Sequence, residues 1–168
     1  MAEIIKVYKQ SINAMRFVGK KYDDNDRVNG NFGAKWDEWH TNGWFGEIEK
    51  QINVSLKDIN EDGDSYIGLI RGGHDNPFEY WIGIFLPEGT TVPDVFTCLD
   101  FPASELGVCW IYGKEDEVFM LEGKCGKRLE REGFNVNTEW CFERYNCPRF
   151  TTPDEQGNII LDICFYLN

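Results

Sequence analysis

The sequence predicts an α+β protein built from two similar strand-helix-strand-strand modules, with a mainly antiparallel sheet and helices on one side. Three observations carry this reading. Short alternating apolar runs, bounded by Gly, Pro, Asp and Asn, recur along the chain and read as strands. Two longer segments, one in each half, repeat apolar residues at helical spacing. The order of elements in the first half then returns in the second, with modules of roughly 1–90 and 91–168 in a single domain.

Ile4 to Tyr22 alternates and reads as strand, clearest over Met15–Tyr22. Asp23–Gly30 is polar and loop-like. Phe32–Ile52 spaces Trp36, Trp39, Trp44, Ile48 and Ile52 by three to five residues, which fits a helix face broken near Thr41-Asn42-Gly43. Asp58–Asp64 is an acidic turn. Ser65–Arg71 and Phe78–Leu86 are strands on either side of the loop Gly72–Pro77, and Pro87 ends the second. In the second half Val95–Phe101 and Glu105–Tyr112 read as strands. Lys114–Arg131 reads as a helix with Val118, Leu121, Cys125 and Leu129 on one face, stopped by Gly133. Trp140–Tyr145 and Asn158–Leu167 are the closing strands. The run Trp81–Leu86 can be set against Ile160–Phe165 as the matching strand of each module. Such a duplication predicts pseudo-twofold symmetry and a ligand cleft where the modules meet.

Composition narrows the function. With 42% hydrophobic and 15% aromatic residues the chain can bury a sizeable core. The aromatic surplus either packs that core or lines a pocket. A net charge of −12 repels phosphate backbones, so direct nucleic-acid binding is not expected. No apolar run reaches the roughly 18–20 residues of a membrane span, and the N-terminus lacks a signal-peptide pattern, so a cytoplasmic protein is expected. Cys109, Cys141 and Cys164 lie in apolar strands and no CxxC occurs, which predicts reduced thiols.

The chemistry concentrates on Trp140–Tyr145. A carboxylate among aromatics is costly unless something pairs with it. Strand alternation places Cys141, Glu143 and Tyr145 on one face and Trp140, Phe142 and Arg144 on the other. Glu143 beside Tyr145 can hold a cation or orient a water; alternatively Glu143 faces solvent or pairs with an Arg or Lys. Val108, Trp110 and Tyr112 share a face, and Trp110 and Tyr112 either wall a ligand or pack the core. Tyr80 and Trp81 occupy opposite faces, so at most one meets a cleft; Trp81 is the wall candidate. Asp58, Asn60, Asp62 and Gly63 match the start of an EF-hand loop, but Leu69 stands where a bidentate Glu is required, so the segment reads as an acidic turn. His40 and His74 lie apart and no ligand cluster supports a metal. No GxGxxG, P-loop or GxSxG occurs, and no cofactor is expected.

The stretch Trp140–Pro148, followed by Thr151-Thr152-Pro153-Asp154-Glu155 and Asp162-Ile163, resembles the signature of the GyrI-like family, the AraC-type effector-binding domains. That signature is an aromatic-Glu-x-Tyr strand, a turn ending in Pro, a Thr-Pro-x-Glu stretch and a closing Asp/Ile strand. Cys147 stands where the family more often has Asp. The resemblance implies two pseudo-symmetric modules with a cleft between them, where Glu143 and Tyr145 contact ligands that are often cationic and aromatic. Family members are often fused to helix-turn-helix segments, for which the elements above leave no room. The resemblance therefore implies a drug- or toxin-binding protein, or a sensor acting through a protein partner. It also leaves open a hydrolase opening the cyclopropane of DNA-alkylating natural products, and a protein that modulates gyrase.

Overall fold

Period-two alternation dominates the chain, and the computed structural model, which describes residues 1–168, converts it into one eight-stranded sheet. The strands are β1 (Glu3–Ile12), β2 (Met15–Tyr22), β3 (Tyr66–Arg71), β4 (Glu79–Pro87), β5 (Thr97–Phe101), β6 (Ser104–Gly113), β7 (Val136–Tyr145) and β8 (Ile159–Leu167). Every pairing is antiparallel, in the order β1-β6-β8-β7-β3-β4-β2-β5. The order reads the same outward from the β7–β3 seam, with β8 matching β4, β6 matching β2 and β1 matching β5. The pseudo-twofold and the matching of Trp81–Leu86 with Ile160–Phe165 therefore both appear in the sheet.

The modules differ from the sequence expectation in one respect. Ile4–Tyr22 is not one strand but two, and they do not pair with each other. β1 crosses to β6 of the second half, while β5 crosses to β2 of the first. Each module thus runs strand-strand-helix-strand-strand and lends its first strand to the other. The break falls at Asn13-Ala14, where no Gly or Pro marks it. Tertiary bonds mark it instead: the Asn13 backbone N–H donates to Asn60 Oδ1 at 2.9 Å, and Asn13 Nδ2 donates to the Ile59 carbonyl at 2.7 Å.

The first helical segment divides into α1 (Gly33–Asn42) and α2 (Trp44–Glu49) at Gly43, whose φ of 65° favours glycine. The second is not continuous either. It forms α3 (Glu115–Val118), a tight turn over Phe119–Leu121, and α4 (Glu122–Arg131). Val118, Cys125 and Leu129 face the core as their spacing predicts. Gly133, with φ of 93°, follows the end of α4. No helix is long and apolar enough to cross a membrane.

The helices cover one sheet face with two separate cores. One surrounds Trp39, Phe45, Ile48 and Ile82; the other surrounds Val118, Leu129, Ile111 and Leu161. The opposite face forms a single shared core around Phe17, Trp81, Phe85 and Phe142. No helix is needed there because the sheet curls onto itself. Phe101 on β5 stacks on Tyr166 of β8 with centroids 5.1 Å apart. In a flat sheet five strand spacings would separate them by roughly 24 Å. All six cysteines are unpaired thiols.

Candidate functional site

Where the two helix-side cores fail to meet, a cavity of about 630 Å³ opens over the β7–β3 seam. Its volume suits a small organic molecule. α1 contributes Trp36, the preceding loops contribute Arg27 and Phe32, and β3 and β4 contribute Ile70 and Tyr80. From the other half come Asp116, Phe119 and Glu122 around α3 and α4, and Glu143 and Tyr145 of β7. The break between α3 and α4 brings Phe119 to the wall, its ring 6.5 Å from that of Tyr145. Cavity and module junction coincide because each half carries its own helices and its own core.

Glu143 is 6% exposed. Its Oε2 accepts a bond from the Tyr145 hydroxyl and another, at 3.2 Å, from the Tyr80 hydroxyl. Trp36 Nε1 donates to that same Tyr80 oxygen at 2.9 Å. Both bonds fall on Oε2, and Oε1 has no protein donor. The pairing with Lys or Arg that strand reasoning left open does not occur at Glu143. Burial pushes its carboxyl up from 4.5 to about 7, against the two phenols that favour the charged form. Burial likewise raises both phenols well above their usual range, with Glu143 adding to the effect.

A second carboxyl shares the cavity. Glu122 opens α4, and its Oε1 is buried without a partner. Burial, and then the neighbouring Glu143, push this carboxyl up from 4.5 to about 9. The aromatic walls are tightly arranged. Phe32 stacks on Tyr80 at 4.2 Å, and Trp36 meets Tyr145 edge-on at 4.8 Å. Arg27 is the one basic residue on the lining, against three acids. Its guanidinium lies 4.6 Å from the Phe32 centroid and bonds Asp24 at 2.9 Å.

The structure brings together two of the five residues singled out from sequence. Glu143 and Tyr145 line the cavity. Trp81 does not: it points into the shared core on the far sheet face, with Phe17 at 6.1 Å. Tyr80, its neighbour of opposite parity, takes the place expected of it. Trp110 lies on the far side too, its Nε1 donating to the Tyr8 hydroxyl at 3.2 Å. Tyr112 points the same way as Trp110 and donates to Asp154 at 2.6 Å. Alternation groups residues by face correctly, but it does not say which face the helices cover.

Glu122, Trp36, Phe32 and Phe119 carried no recognised signal. Trp36 read as one more apolar position of a helix, and Glu122 as a polar residue on a helix surface.

Arg144, next to Glu143 but of opposite parity, anchors a buried network on the far face. It bonds Asp162 at 2.8 Å and Asp62 at 3.3 Å, while Arg149 bonds the same two acids at 2.6 and 3.1 Å. Asp62 belongs to the acidic turn that resembled a calcium loop. Its carboxylate is committed to these arginines and to Asn146. Asn60 of the same turn bonds Asn13. The turn thus acts as a clasp on the sheet.

No family model matches the chain, and no curated protein does. Solved structures share its architecture at low identity. SAV2435, solved bound to tetraphenylphosphonium, is 13% identical, with a TM-score of 0.67 over 98% of this chain and 94% of that one. The C-terminal domain of EcmrR is 11% identical, with a TM-score of 0.62 over 97% of each chain. A hydrolase from Listeria innocua is 10% identical, with a TM-score of 0.56 over 97% of this chain and 92% of that one. At these identities the likeness is one of fold alone.

Proposed function

We propose that the cavity binds small amphipathic molecules, chiefly aromatic cations, and that the protein works as a drug- or toxin-binding or sensing domain. One observation carries this reading: the Glu143 carboxylate is buried in an aromatic-walled cavity with phenols as its only partners. Phenols lower the cost of the charge without neutralising it. A cation placed between the rings would meet both the π faces and the free Oε1. The acid-rich lining points the same way, and the tetraphenylphosphonium held by SAV2435 is a ligand of this type.

The test is titration with tetraphenylphosphonium by calorimetry, with tryptophan fluorescence, to which Trp36 on the cavity wall contributes, as a second signal. Binding in the micromolar range is expected, and Glu143→Gln should weaken it by about tenfold or more, the worth of one partly desolvated ion pair. Equal affinity in the variant would remove Glu143 from the site.

A hydrolytic use of the same cavity is the second reading. A carboxyl raised to about 7 beside two phenols suits proton abstraction from water near neutral pH. Incubation with a cyclopropane-bearing alkylator should then give a ring-opened, hydrated product by mass spectrometry. No turnover above buffer leaves binding alone.

A further inference from the structure

Glu122 stands outside the hydrogen bonds that join Tyr80, Glu143 and Tyr145. Its position is unusual for a helix-surface glutamate, since it lines the cavity from the module opposite to α1 and Tyr80. Its buried Oε1 accepts no hydrogen bond, although a buried acceptor left unmade costs about 1–3 kcal/mol. Glu143, which lines the cavity from the same half, likewise has an oxygen, Oε1, without a protein donor. Two carboxyl groups of one aromatic-walled lining thus each keep an oxygen that no protein donor satisfies.

We propose that Glu122 is a second cation anchor, and that the cavity selects flat aromatic dications over monocations of the same shape. The inference rests on the cavity reading above and adds its charge specificity. Monocations need only Glu143, and Glu122 then stays a neutral acid. In a dication the second positive centre lies against Glu122, which gives up its proton to become the counter-ion. The groups facing the pair fit this exchange. Tyr80 and Tyr145 stay protonated and donate to Glu143, and Cys141 of β7 is a raised thiol that stays neutral. Asp116 adds negative charge from α3, and Arg27 is held against Phe32 by Asp24. The raised carboxyl of Glu122, about 9, makes it the proton that leaves at neutral pH.

Methyl viologen and 1-methyl-4-phenylpyridinium share one two-ring frame and differ in charge, so they isolate the effect. At pH 7.5 the wild-type protein should bind the viologen roughly tenfold more tightly, the gain left by one additional ion pair after the Glu122 proton is removed. Calorimetry in buffers of different ionisation enthalpy should show close to one proton released per viologen, about one more than for the monocation. In Glu122→Gln, a near-isosteric change checked by thermal melting, the two affinities should converge to within about threefold and the extra proton should vanish. The proton count in the wild-type protein stands even if the variant folds poorly.

Binding of the monocation with no advantage for the viologen overturns the second anchor and leaves the cavity reading intact. A viologen preference that survives Glu122→Gln also overturns it. Binding of neither ligand overturns both.

Discussion

Gly68 on β3 stands opposite Glu143 in the β3–β7 ladder, and the acid reaches Tyr80 by passing over it. A Cβ at Gly68 would lie 2.5 Å from the Tyr80 hydroxyl and 3.0 Å from Glu143 Oε2. The missing side chain makes room for a polar contact across three strands. Gly68→Ala should therefore push Tyr80 off the carboxylate, because that ring is stacked on Phe32, its hydroxyl is held by Trp36, and it has little room to yield. The expected outcome is a loss of about 1–3 kcal/mol in chemical denaturation, the usual cost of overpacking. Affinity for tetraphenylphosphonium should fall with it. An alanine variant as stable and as tight-binding as the parent would show that the contact is not needed.

The two cavity acids predict how the empty protein responds to pH. Both carboxyls stand higher in the folded chain than their ordinary 4.5, at about 7 for Glu143 and about 9 for Glu122. A folded state that holds its protons more tightly is favoured most below pH 4.5, and this advantage fades as pH rises through 7 and on toward 9. Thermal melting from pH 5 to 9 should thus show a falling Tm, and Glu143→Gln should flatten the part up to about 7. Affinity for a monocation should move oppositely, rising through pH 7 as Glu143 ionises. A Tm that climbs over this range would contradict the burial of these groups.

Parity on β4 can be tested directly. Tyr80→Phe removes a donor from Glu143 and should weaken tetraphenylphosphonium several-fold, with its cost near the roughly 1 kcal/mol of one hydrogen bond. Trp81→Phe shrinks the far-face core and should lower stability with little change in affinity. Tyr112→Phe, which loses an exposed bond to Asp154 and one accepted from Asn158 at 2.9 Å, should leave affinity unchanged and cost at most about 1 kcal/mol of stability. Calorimetry and urea denaturation on the three variants separate these outcomes. A ligand defect in Trp81→Phe and none in Tyr80→Phe would reverse the assignment of faces.

The far-face network is a stability element. Asp162 is fully buried and holds both Arg144 and Arg149. Asp162→Ala leaves Asp62 as the one carboxylate for two guanidinium groups, one of them only 4% exposed, and should cost about 3–5 kcal/mol. Replacing Arg144 with Met in the same chain should recover part of that loss, since it removes the excess buried positive charge and leaves Asp62 to Arg149. Denaturation midpoints of the single and double variants measure the coupling. A loss below 1 kcal/mol in Asp162→Ala would mean that water reaches the arginines.

Legibility from sequence followed the range of the interaction. β7 was readable because its alternation is local: Glu143 and Tyr145 fall on one face and Arg144 on the other whatever the strand packs against. The Gly43 break and the Gly133 stop were readable because positive φ selects glycine within a single turn. The turn at Asn13-Ala14 was not, because its bonds come from Ile59 and Asn60, far along the chain. Tyr80 could not be chosen over Trp81, because alternation assigns opposite faces without naming the covered one.

By itself the sequence determined the α+β class, the duplicated order of elements and the pairing of Glu143 with Tyr145, all consequences of local periodicity and steric preference. Only the tertiary structure decided that the first strand of each module crosses to the other and that the sheet curls over a helix-free core. It alone also set Glu122 and Tyr80 around the Glu143 carboxylate. These depend on which faces are buried against which, and that is settled by the packing of residues from 44 to more than 100 positions apart.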